Sequence, residues 1–271
     1  FWEPSLNEQI KRRVQIELQL KRAIERREFR LVYQPQYDRK NGRVIGFESL
    51  IRWNNPILGQ VPPVEFIPIA EESDCIIEIG EWVLQQACLF GKKLHAETCA
   101  PIKIAVNLSS KQFADDRLCD IVKHILANTG LNPGCLELEI TESMTMDVQS
   151  TLATMRELKQ IGVKLAMDDF GTGYSSLRWI KEFPLDCLKI DRSFIMDICS
   201  NVYNHSIVRT ITAMSDSLQL EMIAEGVEDE DTAQILDGFG CTMHQGYYYS
   251  KPVEEHEVLD AYLSLTRNDY S

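Results

Sequence analysis

Six side chains, Glu48, Asn107, Glu139, Asp168, Asp169 and Glu225, have the types and the spacing to do chemistry. Each closes a short apolar, β-prone run, and each run but one is followed by a plausible helix. The exception, Asp168-Asp169, opens onto a loop containing Gly171 and Gly173. If the runs are parallel strands of one sheet, their carboxyl ends converge on one mouth. Carboxylates gathered so closely repel one another unless cations neutralise them. Ligands that are all hard oxygens suit Mg2+ or Mn2+. The pattern predicts a metal-dependent enzyme acting on an anionic substrate.

The elements that must position these residues can be read from periodicity. Eight runs read as strands: 31–37, 44–53, 102–108, 136–141, 164–168, 187–191, 222–225 and 243–249. Helical stretches lie between or beside them at 78–95, 116–129, 147–161, 204–218 and 230–238. A leading helix is expected over 5–28, where Leu6, Ile10, Val14 and Leu18 recur every four residues. Repeated β–α alternation argues for an α/β barrel with a parallel sheet. The first two strands are joined only by 38–43, which contains Asn41-Gly42. That link is too short for a helical crossover, so the first strand should run antiparallel to the rest. The expected fold is an irregular TIM-type (β/α)8 barrel.

Strand parity places the side chains. In Leu136-Glu137-Leu138-Glu139-Ile140-Thr141 the aliphatic residues share one face and the carboxylates the other. The outer face of a barrel packs on helices, so the carboxylates should point inward. The same parity puts Lys189 and Asp191 together. Trp53, Trp82 and Trp179 read as core, and the tyrosines at 247–249 as filling the last strand. His244 reads as a packed residue.

Composition bounds the function. The chain has 271 residues, 44% of them hydrophobic, enough for one barrel with a sizeable core. The formal net charge of −13 argues against binding polymeric nucleic acid, which needs a basic surface. It leaves room for a small phosphate ligand once divalent cations invert the local field. The eight cysteines are scattered with no Cys-x-x-Cys pair, which argues for reduced thiols and a cytoplasmic domain, one that a membrane-anchored full-length protein could carry. No apolar run is long enough for a membrane span. The domain reading is an N-terminal helix over 1–28, leading from an upstream domain, and a barrel over 29–271.

The segment Phe47-Glu48-Ser49-Leu50-Ile51-Arg52-Trp53 resembles the signature of the EAL-domain cyclic di-GMP phosphodiesterases, with Ser49 where the name-giving triplet has alanine. Val106-Asn107-Leu108-Ser109, Glu139-Ile140-Thr141-Glu142, Asp168-Asp169-Phe170-Gly171-Thr172-Gly173-Tyr174, Leu188-Lys189-Ile190-Asp191, Ala224-Glu225-Gly226-Val227-Glu228 and Gln245-Gly246-Tyr247 resemble its other blocks, in the family's order and spacing. The resemblance runs over roughly residues 10–260.

The resemblance implies hydrolysis of cyclic di-GMP to linear pGpG with two Mg2+ or Mn2+ ions. Glu48, Asn107, Glu139 and Asp168 are similar to the ligands of one ion, and Asp168, Asp169 and Glu225 to those of the second. Asp168 would bridge ions ~3.5–4 Å apart, which clamp the phosphate and acidify a water. Glu48, Lys189 and Glu225 take the catalytic roles, with either Lys189 or Glu225 as the base. Gln34, Arg52, Asp191, Glu228 and Gln245 resemble substrate contacts, and Glu142 resembles an anchor for the loop 170–177. Lys189 also has a plainer role open to it, a counter-ion inside the barrel. Burial would lower its pKa and the anions would raise it; the anions should win. Expected partners are cyclic di-GMP, a second copy in a homodimer, and an upstream GGDEF or sensor domain. A degenerate EAL receptor that binds without hydrolysing is the alternative. A barrel hydrolase with another phosphodiester or sugar-phosphate substrate stands behind both.

Overall fold

The computed structural model describes residues 6–145, 148–172 and 180–267. The β-prone runs form one sheet: β1 (Phe29–Asp38), β2 (Arg43–Asn55), β3 (Gly59–Val61), β4 (Lys103–Asn107), β5 (Leu136–Thr141), β6 (Lys164–Phe170), β7 (Cys187–Ile190), β8 (Glu221–Glu225), β9 (Met243–Gln245) and β10 (Val253–Glu254). Its order is β1-β9-β8-β7-β6-β5-β4-β2, and β1 also pairs with β2, which closes an eight-stranded barrel. The strands β2 and β4 to β9 pair in parallel, whereas β1 is antiparallel to both neighbours, as expected. The reversal is made at the short link. Asn41 donates its backbone N–H to Asp38 Oδ1 at 3.2 Å, and Gly42 takes φ +61°, which glycine tolerates without a side-chain clash. The short β3 and β10 extend β2 and β1 outside the barrel.

Parity holds. Leu136, Leu138 and Ile140 are fully buried in the core beneath the helices, and Glu137 and Glu139 are buried on the other, inner face. Helices Cys75–Thr98, Leu118–Thr129, Val148–Ile161, Val202–Leu218 and Glu230–Phe239 correspond to the five expected. Helices Pro63–Glu72 and Val258–Arg267 were not anticipated. Pro63 starts the first of these helices, where its missing N–H costs nothing.

Four expectations need correction. The leading helix spans Leu6–Leu20 and gives way to turns before residue 28. The chain must swing into β1 there: Arg27 takes φ +56°, and buried Glu28 accepts from Trp53 Nε1 at 2.9 Å and Asn55 Nδ2 at 2.8 Å. The stripe on this helix that packs is Ile16 and Leu20, followed by Ala23; Ile10, Val14 and Leu18 are 52%, 49% and 64% exposed. Burial of that stripe sets the rotation of the helix, and Arg12 and Arg13 pair with Glu65 and Glu72 at the exposed rim of the contact. The last barrel strand ends at Gln245, so the tyrosines at 247–249 lie in a turn and do not fill it. The chain leaves the strand at Gly246, where a Cβ would lie 2.0 Å from the Val227 carbonyl oxygen and only glycine fits. Trp53 is core, but Trp82 is only half-buried. Trp179, Gly173, Tyr174 and the rest of the loop beyond Thr172 lie outside the described residues.

Candidate active site

The carboxyl ends of the parallel strands bring the acidic residues to one mouth, with two local devices. Glu48 is not at a strand end; β2 runs on past it to Asn55, and Glu48 stands opposite Gln34 of β1 and beside Ala105 of β4. Asn107 and Glu139 are register partners at the ends of β4 and β5. Asp168 and Asp169 are adjacent, so regular alternation would point one away. The β6–β7 register shifts between Met167 and Phe170, and Asp169 takes φ +53°. This irregularity keeps both aspartates at the site, where oxygens of Asp168, Asp169 and Glu225 lie within 4.8 Å of one another.

Lys189 stands at the centre. Its Nζ is 2.6 Å from Glu225 Oε1, 2.9 Å from Glu139 Oε1, 3.3 Å from Asp168 Oδ1 and 3.7 Å from Glu48 Oε2, and the residue is wholly buried. Burial alone would depress the amine, but Asp168, Glu139, Glu225 and Glu48 together hold its pKa well above the ordinary lysine value. It is a fixed cation, as expected.

One ammonium among five carboxylates is not enough. Burial lifts Glu139 well above its ordinary value, against the pull of Lys189, and Glu48, Asp168 and Glu225 add repulsion. Burial likewise pushes Glu225 up to about 8, and it raises Asp169 with help from Asp168 and Asp191. Glu48 goes the other way: burial opposes ionisation, but Lys189, Gln245 and Asn107 outweigh it and lower its pKa. Glu139 Oε2 accepts no hydrogen bond, and Glu139 Oε1 and Asp168 Oδ1 face only the shared Lys189 ammonium. Buried carboxylate oxygens that share one ammonium among them, in a set of hard oxygen ligands, fit divalent cations well. Asn107 spends its amide nitrogen on Glu48 Oε1 at 2.7 Å, so its carbonyl oxygen is the atom left to ligate.

The other predicted residues fall around this centre. A cleft of about 210 Å³ is lined by Gln34, Glu48, Asp168, Arg192, Glu225, Glu228, Gln245 and Tyr247. Gln245 donates to Glu48 Oε2 and, at 3.2 Å, to Gln34 Oε1. Arg52 lies four residues beyond Glu48, half-buried, and donates to the Ile51 carbonyl at 2.9 Å; burial and Arg30 depress its guanidinium. Asp191 lies just past β7 and caps the short helix Arg192–Ile195, accepting from Ser193 N at 3.0 Å. Glu228 pairs with Arg192 at 2.6 Å. Glu142 follows β5, and its Oε2 accepts from Gly171 N at 3.2 Å, a direct tie to the start of the loop after β6. His244 is buried, bonded to Tyr249 Oη at 2.8 Å and the Cys241 carbonyl at 2.9 Å.

Sequence reasoning missed Gln36, Arg192 and Tyr247. Gln36 shares strand parity with Gln34 and was legible on that ground. Tyr247, 52% exposed at the cleft, became available only because β9 stops early.

Comparison with known proteins agrees with this geometry. The model of the family described as "EAL domain" matches residues 17–252. The bifunctional diguanylate cyclase/cyclic di-GMP phosphodiesterase MucR of Pseudomonas aeruginosa is 40% identical over 260 residues, covering 96% of this chain and 38% of that protein. The cyclic di-GMP phosphodiesterase NbdA of the same organism is 38% identical over 241 residues, covering 89% of this chain and 31% of that protein. The chain thus spans about a third of the length of these curated relatives. Among solved structures, the c-di-GMP complex of the PaMucR phosphodiesterase superposes with a TM-score of 0.87 at 40% identity, covering 90% of this chain and 99% of that one. By sequence match and by fold, this chain belongs to the EAL domain family.

Proposed function

We propose that this chain hydrolyses cyclic di-GMP to linear pGpG with two divalent cations, Mg2+ or Mn2+. The observation that carries the reading is the set of Glu48, Glu139, Asp168 and Glu225 sharing the one ammonium of Lys189, with Asp169 beside Asp168 and Glu225 and an unpaired oxygen on Glu139. Glu48, Asn107, Glu139 and Asp168 would hold one ion, and Asp168, Asp169 and Glu225 the other. When bound, such ions neutralise the phosphate and make a water acidic enough to be a nucleophile near neutral pH.

The residues of this chain divide the remaining work. Lys189, wholly buried among four carboxylates, orients the water or stabilises charge on the phosphoryl oxygens. Glu225, at the mouth, takes the proton of the attacking water in its ionised form, which bound cations would favour. The water oxygen bonds to phosphorus, the P–O3′ bond breaks, and the 3′ oxygen leaves and is protonated from solvent. Arg52 offers a planar fork to a phosphate. Gln34, Gln245, Asp191 and Glu228 bound the space for the rest of the substrate. Glu142 holds Gly171 and thereby the position of Asp168 and Asp169.

Support comes from the MucR phosphodiesterase, a similar structure solved with c-di-GMP, and from the presence here of every residue the mechanism uses. A homodimer and an upstream regulatory domain are proposed partners. No helix among the described residues is long and apolar enough to cross a membrane. The test is incubation with cyclic di-GMP and Mg2+, with Glu48→Ala as control. Production of pGpG by the wild type alone is expected. Tight binding of cyclic di-GMP with no product would replace this reading with the receptor alternative.

A further inference from the structure

Below the carboxylates, the barrel interior holds a chain of amides. Gln36 of β1 is wholly buried and donates from Nε2 to Gln245 Oε1 at 3.2 Å. Gln245 Nε2 in turn donates to Glu48 Oε2 and to Gln34 Oε1. The space for Gln36 is made by its register partner Gly46, where a Cβ would lie 2.8 Å from Gln36 Oε1 and 3.1 Å from the Lys103 carbonyl oxygen.

The charge on Glu48 sets the direction of the whole chain. An ionised carboxylate accepts only, so Gln245 must present its NH2 group to it. The carbonyl oxygen of Gln245 then faces inward and requires a donor, and Gln36 Nε2 is that donor. Turning the Gln245 amide over would set carbonyl oxygen against carboxylate at one end and NH2 against NH2 at the other. Both contacts are repulsive. Without a donor at position 36, the Gln245 oxygen is buried unpaired, which is unfavourable, and the side chain is released to seek another partner.

We infer that Gln36 is a positioning residue: through Gln245 it fixes the orientation of the Glu48 carboxylate and so preorganises the cation site. This rests on the reading of Glu48 as a metal ligand given above. Partners one step removed from a ligand typically tune metal affinity about 10- to 100-fold.

The experiment measures Mn2+ affinity of the substrate-free protein by calorimetry for wild type, Gln36→Met, Gln245→Met, the double variant and Glu48→Ala. Gln36→Met keeps side-chain volume and removes the amide. The expected result is a roughly 10-fold loss for each glutamine variant, with the double variant no worse than the weaker single, because both break one chain. Excess Mn2+ should restore the turnover of Gln36→Met. If Gln36→Met fails to fold, Gln36→Asn replaces it, an amide too short to reach Gln245, with the same expected loss. Wild-type affinity in the Gln36 variant while Glu48→Ala loses Mn2+ would overturn this inference alone. Losses that simply add in the double variant would reduce Gln36 to packing and overturn it too. Unchanged affinity in Glu48→Ala would instead sink the underlying metal assignment, and this inference with it.

Discussion

Lys189 decides much at the scale of single residues. It is the one ammonium within ion-pair distance of Glu48, Glu139, Asp168 and Glu225 among the described residues. Removing one partner of a buried ionic cluster leaves the others uncompensated, a loss of about 3–5 kcal/mol. Lys189→Met should therefore melt markedly lower than wild type in chelator, and added Mg2+ should close much of the gap by supplying the missing charge. Thermal melts with and without Mg2+ check this; an equal deficit in both would mean that Lys189 acts through packing. The oxygen set also discriminates between cations. Mg2+ and Mn2+ fit small octahedral sites, whereas Ca2+ takes longer bonds and more ligands. Turnover should be supported by Mg2+ or Mn2+ and inhibited by Ca2+ in competition. Equal rates with Ca2+ and Mg2+ would contradict the assignment.

Among the elements, the β5 end and the β6 loop act as a pair. Glu142 and Glu139 lie three residues apart, but only Glu139 is on the inner face of the strand; Glu142 has left it and reaches Gly171. Gly171 sits at φ +98°, and a Cβ there would meet the Phe194 ring at 2.9 Å, so the loop needs both this glycine and its anchor. Glu142→Ala should lower turnover strongly by letting Asp168 and Asp169 drift. A displacement of ~1 Å at a reacting centre can cost on the order of 100-fold. High Mg2+ should partly rescue Glu142→Ala and fail to rescue Glu139→Ala, as read by turnover across a Mg2+ titration. Identical behaviour of the two variants would make Glu142 a ligand or the loop irrelevant.

For the whole molecule, the cluster makes stability depend on pH and on metal. Glu225 is raised to about 8, and Glu139 and Asp169 are raised as well, so the metal-free fold favours their protonated forms. The sign follows from linkage: the folded state binds more protons than the unfolded chain between the ordinary carboxylate range and about 8. Stability should be fully present below that range and decline as pH rises towards 8. In chelator, the melting temperature should fall between pH 5 and 8. With Mg2+ the decline should flatten, because cations bind the ionised form. At about 100 times the dissociation constant the gain is about 2.7 kcal/mol, a shift on the order of 5 °C. A metal-free melting temperature that is flat over this window would show that the carboxylates do not share the buried site described here.

The chain's alternation of apolar and acidic residues determined by itself that Glu139 points inward and that its strand packs on helices. The six-residue link at 38–43 determined that β1 runs backwards. Ordered local blocks were enough for the family, because strand period and turn chemistry are local properties. Other features depended on contacts between distant segments. The bulge that aims both Asp168 and Asp169 at one site arises where β6 meets β7. The chain leaves β9 at Gly246, where it lies against the backbone of Val227 from a distant segment. The leading helix turned Ile16 and Leu20 inward, and left Ile10, Val14 and Leu18 exposed, because it packs on the helix Pro63–Glu72, a contact between segments far apart in sequence. The order of the pKa values was decided only by tertiary structure as well. Burial and field depend on what the barrel brings within a few ångströms, and Glu48 and Glu139, alike in sequence terms, are moved in opposite directions by it.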